Sequence, residues 1–324
     1  MELTPDFSIS INGSSTFPKE RVISIRTTDE AGIVSDSCEI ELDDFDGALQ
    51  FPNTEAKVVV SLGYKETGLT KIGTYFVREL SFDGARRTVC IQCNAAPKAM
   101  RSQKTKTNEG TIENKIQDMG GEFGLEPKIS DDLKGVSLSD TPQFAESDMS
   151  YITRTSQKIG AVAKPVDGNL IVANAGSAKS VSGKALPIKY LDAAEVASYS
   201  CSFRETESGG FSGTVFASWY EKEKSEYHLE KVGNGDPEVE LQEVFATKEQ
   251  AIAAAKAKFK QISKSNKTFH FSVVGRTDLS AESPLILRGF NSKIPTRWII
   301  TQVEHSLSAN GFTTSVDCGN GAEK

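Results

Sequence analysis

The two ends of the chain carry the same succession of strand-like segments, and this repeat constrains the fold more than any other feature. The first copy reads VVVSLGY, YFVRELSF and TVCIQC, and the second reads LILRGF, WIITQVEHSL and FTTSVDC. In both copies an apolar strand ends in Gly-aromatic, an aromatic residue opens a long strand, and the last strand ends in cysteine. The intervals Tyr64 to Tyr75 and Phe290 to Trp298 differ only in loop length, where variation is tolerated. Two copies of one small β-barrel are predicted, and chance likeness between antiparallel segments is the alternative.

Turn signals and strand composition place most of the remaining chain in antiparallel sheet. Segments such as TYFVRELSF and FHFSVV are rich in β-branched and aromatic residues. Hairpins are predicted at Asp83-Gly84, Asp167-Gly168 and Asn310-Gly311, because these dipeptides favour the tight turns that join antiparallel strands. Strands cluster at both ends with helices between them, which predicts the α+β class rather than alternating β-α-β units.

Three stretches have helical periodicity and recognisable ends. The predicted boundary residues are Thr111 and Gly124 for the first helix, Ser147 and Gly160 for the second, and the capping box Thr247 to Gln250 for the start of the third. The Gly120-Gly121 pair is expected to weaken the first helix or end it early. The predicted buried faces comprise Ile112, Ile116, Met119 and Phe123; Met149, Ile152 and Ile159; and Ile252, Ala255, Phe259 and Ile262.

The cluster Glu146-Ser147-Asp148 is either a catalytic group or a helix start. Nucleophilic catalysis by the serine would need a base, and no G-x-S-x-G turn surrounds it. At a helix start, Ser147 satisfies an unpaired N–H and the two carboxylates face the positive end of the helix dipole, which uses every residue of the cluster. We interpret the cluster as a helix start and predict no catalytic residue.

The histidines and cysteines lack the spacing of a metal or redox site. His270 and His305 lie within strand-like segments, and with His228 they are the chain's only histidines. Cys90 and Cys93 have C-x-x-C spacing, but the alternation of their flanks sends them to opposite faces of a strand. We interpret them as small core residues and predict no metal site, no cofactor site and no cofactor.

Charge and hydropathy exclude several classes of partner. A net charge of −7 argues against broad phosphate binding, so no specific nucleic-acid binding is predicted. The longest apolar runs fall short of the roughly 20 residues of a transmembrane helix, so no membrane span is predicted. The amino terminus lacks the pattern of an export signal, and an odd count of five cysteines gives no disulfide framework. Folding in the cytoplasm is the expectation.

Two central segments resemble a known family. EGTIENKIQDMGGEFGLEPKI followed by QFAESDMSYITRTSQKIGAVAKPVDGNLIVA is similar to the central signature of the phage late control protein D family, and RWIITQVEHSLSANGFTT resembles its closing strand pair. Members are baseplate hubs of contractile tails, with relatives among R-type bacteriocin hubs and in the N-terminal part of type VI secretion spike proteins. The likeness is strongest over 110–173 and 297–314, whereas 205–246 match nothing in the family.

The resemblance implies a fold and an assembly. Residues 1–97 would form a first tube-like β-barrel, 98–180 a central α/β module with two helices and a hairpin, and 181–324 a second barrel with an insertion and helix at about 205–265. Three chains would form a homotrimer whose six barrels match a hexameric tail tube, with strands Val58–Tyr64 and Leu285–Phe290 placed equivalently in the ring.

The implied function is that of a symmetry adaptor in the baseplate. The implied partners are a trimeric spike protein, a tail tube or tube-initiator protein and other baseplate proteins, and the location is a virion or tail-like particle assembled in the host bacterial cytoplasm. Phage, bacteriocin and other injection devices all fit.

Two other functions remain as alternatives. Glu146 or Asp148 would serve a cell-wall hydrolase, and the aromatic residues Trp219, Tyr220 and Tyr227 would serve a carbohydrate-binding surface. The competing interpretation of the aromatic segment is a partly exposed hairpin that packs on the barrel.

Overall fold

The computed structural model describes residues 3–14, 18–32, 35–137, 141–174, 180–203, 213–236, 238–263 and 267–320. Most of these residues lie in strands, the majority paired antiparallel, with few helices. The α-helices of this part of the chain are α1 (Ile112–Phe123), α2 (Asp148–Lys158) and α3 (Lys248–Ser263). None of the described helices is long and apolar enough to cross a membrane.

The strands are distributed over one large and three small sheets. In chain order they are β1 (Pro5–Ile11), β2 (Val22–Glu30), β3 (Ser37–Asp43), β4 (Lys57–Tyr64), β5 (Gly68–Asp83), β6 (Thr88–Asn94), β7 (Gln103–Lys106), β8 (Glu126–Ile129), β9 (Gln143–Ser147), β10 (Ala161–Val166), β11 (Asn169–Asn174), β12 (Lys189–Asp192), β13 (Val196–Phe203), β14 (Thr214–Glu221), β15 (Glu226–Gly233), β16 (Glu238–Phe245), β17 (Lys267–Val274), β18 (Pro284–Arg288), β19 (Arg297–Ser308) and β20 (Gly311–Asn320). The three predicted hairpin turns join β5 to β6, β10 to β11 and β19 to β20, as expected.

The twelve-stranded sheet contains the same strand order twice. Its first part, called here the N-terminal half-sheet, has the order β1-β4-β5-β6-β3-β2, and the C-terminal half-sheet has the order β12-β18-β19-β20-β17-β13. When the strands of each half-sheet are numbered one to six along the chain, both half-sheets have the order 1-4-5-6-3-2. The predicted repeat is therefore present as a repeated topology, with β4 and β18 in the same place. One difference is that β1 pairs with β4 antiparallel, whereas β12 pairs with β18 parallel.

The two half-sheets also share the position of an irregularity. The register between β5 and β6 shifts between Val77 and Glu79, and the register between β19 and β20 shifts between Ile300 and Gln302. The partner of Val77 is Cys93 and the partner of Ile300 is Cys318, so the cysteines that close the two sequence copies are equivalent in the sheet. Because a bulge re-aims every following side chain, its repetition fixes which residues correspond. Tyr75 corresponds to Trp298, as the sequence pattern indicates.

Each half-sheet has its own hydrophobic core, and the two cores are joined by one hairpin. Leu307 and Phe312, at the turn of the β19–β20 hairpin, belong to the core of the N-terminal half-sheet. Tyr64 of that half contacts the Phe312 ring, and its hydroxyl donates a 3.0 Å hydrogen bond to the carbonyl of Gly275. The second core contains Leu191, Phe269, Phe271, Val273, Leu279, Leu285, Leu287, Trp298, Ile300, Val303, Val316 and Cys318.

The central helices begin and end as predicted. Thr111 caps α1 in a reciprocal pair with Asn114, and Gly124 ends the helix with a left-handed φ of 65°. The expectation that Gly120-Gly121 would end α1 early is wrong, because the helix continues to Phe123. Gly120 is needed for close packing instead: a Cβ there would lie 2.8 Å from the carbonyl oxygen of Leu125.

The buried faces of α2 and α3 differ in part from the predicted ones. In α2, Tyr151 and Ile152 are fully buried, while Met149 and Ile159 are only partly buried against the same core. In α3, Ala251, Ala254 and Ala255 form the buried face, and Ile252 is only half-buried. The alanines allow α3 to lie close to the β15-β14-β16 sheet, where Val215, Ala217 and Phe245 complete a small separate core.

Candidate assembly interface

The Glu146-Ser147-Asp148 cluster begins α2, as the capping interpretation predicts. The Ser147 side chain accepts a 3.1 Å hydrogen bond from the Ser150 backbone N–H. Arg154 donates to both carboxylate oxygens of Glu146, at 3.1 and 2.8 Å, and these bonds hold the pKa of Glu146 below its ordinary value. A carboxylate held by a guanidinium at both oxygens is ionised and cannot act as a general acid near neutral pH. The cluster therefore stabilises the helix.

Asp148 has a structural role beyond the helix dipole. Its side chain is fully buried, with Lys104 Nζ 2.6 Å from Oδ2 and Gln143 Nε2 donating to Oδ1 at 3.0 Å. Burial alone would raise the pKa of Asp148, but these hydrogen bonds outweigh it and the pKa lies below its ordinary value. Because Lys104 belongs to β7 and Gln143 to β9, this carboxylate connects the β7–β9 pair to α2.

We expect Ser147→Ala to lower the free energy of unfolding by about 1 kcal/mol, since it removes the acceptor for the Ser150 N–H. Ser147→Asn is the matched control, because asparagine caps helices about as well as serine and should leave stability within about 0.5 kcal/mol of the parent. Urea unfolding followed by circular dichroism measures both. Equal losses for the two variants would contradict the capping role.

The histidines lie apart in different surroundings. His305 is buried, with Nδ1 2.9 Å from Thr314 Oγ1, and burial lowers its pKa to about 4 although Asp29 and Asp278 act in the opposite direction. His270 is exposed next to Asp317, and His228 stacks on Trp219. Both strand histidines are thus the packing and surface residues that their sequence context predicts. Among the described residues no three His, Cys, Asp or Glu side chains converge as metal ligands.

The C-x-x-C pair lies in β6, as predicted. Cys93 is buried and Cys90 is half-buried on the other face, where both remain free thiols. Burial raises the pKa of Cys93 to about 12, which is the opposite of what a reactive thiol requires.

A buried lysine that the sequence does not single out joins the central segment to both half-sheets. Lys164 Nζ of β10 lies 2.8 Å from Asp36 Oδ1 and 3.3 Å from Asp29 Oδ1, and it also donates to the carbonyl of Glu30. Asp29 in turn accepts a 2.8 Å hydrogen bond from the Ala281 backbone N–H of the C-terminal half. Burial raises the pKa of Asp36 to about 6 even though Lys164 acts to lower it. Three parts of the chain therefore meet at one partly compensated charge cluster.

The aromatic hairpin lies on a small separate sheet rather than on either half-sheet, contrary to the packing interpretation. Trp219 and Tyr220 are in β14 and Tyr227 is in β15. The Trp219 ring stacks on His228 with centroids 4.5 Å apart, and its Nε1 donates to Glu230 at 3.1 Å. Tyr227 is 71% exposed. The indole is thus engaged within the sheet, and it packs against the core that β14 forms with α3.

Among the described residues, β1, β12 and β13 each have one neighbouring strand in the large sheet, and β5 has one over its second half. The edges of β13 and β5 occupy matching places in the two copies of the repeat. β13 ends the sheet, and all of its residues except Val196 and Cys201 are exposed. In β5, pairing with β4 stops at Phe76, and Val77 still exchanges backbone hydrogen bonds with Glu55 and Ala56. Within the described chain, Arg78–Asp83 therefore pairs with β6 alone. Phe82 in this segment is 59% exposed and touches Phe51 edge-on, with centroids 6.1 Å apart. The β13 edge carries no charged residue, whereas the β5 edge includes Arg78, Glu79 and Asp83. Unpaired strand edges are sites at which another strand can add.

Comparison with known proteins shows which proteins have a similar sequence. No protein-family model matches the chain. The probable baseplate hub protein of Escherichia phage 186 is 28% identical over 97% of this chain and 92% of its own length, and that of Escherichia phage P2 is 27% identical over 97% and 93%. The chain is a homologue of phage baseplate hub proteins. The resemblance drawn from the central motifs and the closing strand pair is thereby confirmed.

Solved structures show the same fold for this baseplate hub homologue. A tail protein from Neisseria meningitidis MC58 has a TM-score of 0.71 at 9% identity, covering 98% of this chain and 97% of that one. The 43 kDa tail protein of prophage MuSo2 from Shewanella oneidensis has a TM-score of 0.67 at 12% identity, covering 97% and 98%. A type VI secretion component of E. coli has a TM-score of 0.56 at 9% identity and covers 98% of this chain and 77% of that chain.

Proposed function

We propose that this baseplate hub homologue is a homotrimeric symmetry adaptor, which joins a hexameric tail tube to a trimeric central spike. The carrying observation is the repeated strand order of the two half-sheets. Three chains with two like units each present six like units in a ring, whereas the chains themselves repeat only three times. One molecule can thus match a sixfold partner on one face and a threefold partner on the other.

The proposal assigns a role to each part of the chain. Residues 1–97 and 181–324 form the two tube-like β-barrels, and 98–180 form the central α/β module between them. Residues of about 205–265, within which β14, β15, β16 and α3 lie, are an insertion between the second and third strands of the second barrel. The buried Lys164 cluster supports this arrangement, because it fixes the central module against both half-sheets.

Location and chemistry follow from the same assignment. The protein belongs to the baseplate of a virion or tail-like particle assembled in the host cytoplasm, where it contacts the spike, the tube or its initiator, and neighbouring baseplate proteins. It acts by binding rather than by catalysis, since Glu146 and Asp148 are both held in ion pairs that α2 requires. A net charge of −7 suits a channel through which an anionic polymer passes without being retained.

Mass measurement tests the proposal. Native mass spectrometry and light scattering are applied to the chain alone and to the chain with the spike protein of the same particle, and the complex with the spike should contain three copies of the 35.1 kDa chain. We expect trimerisation at least in the presence of the spike, and a monomer in dilute solution without it. A chain that stays monomeric with saturating spike protein would contradict the adaptor function.

A further inference from the structure

The chain already contains one joint between two repeated units. β2 of the N-terminal half-sheet pairs antiparallel with β19 of the C-terminal half-sheet, from Ser24 opposite Ser308 to Glu30 opposite Gln302. β2 is the second strand of its half-sheet and β19 is the fifth strand of the other half-sheet, so the joint pairs a second strand with a fifth strand. This joint turns two half-sheets into one continuous sheet.

The strands that would form the equivalent second joint are both present, but within one chain they do not pair with each other. The second strand of the C-terminal half is β13, and the fifth strand of the N-terminal half is β5. Among the described residues, β13 has a neighbouring strand on one side only, and β5 beyond Val77 lacks a neighbour on its β4 side. The bulges confirm the correspondence, because β2 shifts register between Val22 and Ser24 and β13 shifts between Val196 and Ser198.

Side chains at corresponding positions are buried in the formed joint and exposed on the two unpaired strands. Within the formed joint, Ile25 of β2 is fully buried and His305 of β19 is 3% exposed. The corresponding residues of the unformed joint are Tyr199 of β13, which is 48% exposed, and Phe82 of β5, which is 59% exposed. Large aromatic side chains thus lie in solvent at the positions that are buried where the joint is complete. Neither lysine nor proline, the usual protection of an edge strand, occurs in β13.

We propose that successive chains join through β13 of one chain and Arg78–Asp83 of β5 in the next, by the antiparallel pairing that joins β2 to β19 within a chain. This inference rests on the proposed homotrimer and specifies its contact. Transferring the register of the internal joint places Cys201 opposite Phe82, Ser202 opposite Ser81 and Phe203 opposite Leu80 of the neighbour. The two edges differ, so the contact is head-to-tail, and three chains close the ring with six similar joints.

Engineered cysteines test this register. Ser202→Cys with Ser81→Cys, in a Cys201→Ser, Cys90→Ser background, should give interchain disulfides on mild oxidation, because directly opposite strand residues have Cβ atoms about 4.5–5.5 Å apart. Ser202→Cys with Ser8→Cys is the matched control, since Ser8 lies on β1, at the other end of the sheet. Full-length protein with the spike protein is oxidised and run on non-reducing gels beside native mass spectrometry.

The outcomes separate the contact from the assembly. Crosslinked trimer with the Ser202–Ser81 pair, and none with the Ser202–Ser8 pair, supports the proposal. Trimer by mass with no Ser202–Ser81 crosslink, or with crosslinks at Ser8, overturns this contact and leaves the adaptor function standing. Absence of trimer in the parent protein overturns both.

A surface charge gives a second readout that does not depend on cysteine chemistry. Phe203→Lys should weaken trimer formation at least tenfold in a concentration series, because it places an ammonium against Leu80 of the neighbour. Phe144→Lys is the control at an 80% exposed position outside the joint and should leave association unchanged. Equal association of both variants, with unchanged circular dichroism, would overturn the contact.

Discussion

Replacing Lys164 with methionine is expected to lower the free energy of unfolding by about 3–5 kcal/mol at pH 7, because it leaves buried carboxylates without their cation. Nζ of Lys164 is the common partner of Asp36, Asp29 and the Glu30 carbonyl. Methionine fills a similar volume, so the loss reports the charge rather than a cavity. Guanidinium chloride unfolding by fluorescence or circular dichroism gives the difference.

The effect of this variant should depend on pH in a defined direction. Burial raises the pKa of Asp36 to about 6, so below that pH the carboxyl is protonated and needs no cation. The loss caused by Lys164→Met should therefore be smaller at pH 5 than at pH 7. Lys71→Met is the control, because the Lys71–Asp167 ion pair is nearly half-exposed and should contribute less than about 1 kcal/mol. A loss below 1 kcal/mol at pH 7 for Lys164→Met would contradict the buried cluster.

The sequence predicts features that depend on neighbouring residues. The caps at Thr111 and Ser147 and the turns at Asp167-Gly168 and Asn310-Gly311 follow from local hydrogen bonding and backbone preference, and the structure contains all of them. The repeat was also visible, because alternation and a terminal cysteine survive in both copies. Helix caps and hairpin turns can therefore be predicted from the sequence without knowledge of the tertiary contacts.

Features that depend on distant residues were missed. Lys164 meets Asp36 across 128 positions of the chain, and nothing in its neighbours AVAKPV indicates a buried cation. Of the predicted buried face of α3, Ala255 is buried and Phe259 packs against the core, while Ile252 is only half-buried and the Ile262 side chain lies outside the described residues. The close approach of β14 instead adds Ala251 and Ala254 to the buried face. In both cases the burial of the side chain depends on a residue that is distant in the sequence, and the neighbouring residues do not indicate it.

Two buried titratable groups are expected to have opposite effects on stability across one pH range. His305 has its pKa lowered to about 4, so the unfolded chain, with an ordinary histidine pKa of about 6.5, takes up the proton first on acidification. Stability from His305 is then lost as pH falls from 6.5 to 4, by about 3 kcal/mol. Asp36, with its pKa raised to about 6, takes up its proton first in the folded state, so its contribution rises by about 3 kcal/mol as pH falls from 6 to 4.

Because the two contributions oppose each other, single substitutions should uncover each one. Between pH 7 and pH 4, His305→Gln should gain about 3 kcal/mol relative to the parent, since glutamine keeps a hydrogen bond to Thr314 and does not titrate. Asp36→Asn should lose a similar amount relative to the parent over the same range. Urea unfolding at half-unit pH steps measures both. If the free energy of unfolding of the parent and of His305→Gln changed with pH in parallel, the imidazole would be protonated as readily in the folded chain as in the unfolded chain. That result would contradict a buried, neutral His305.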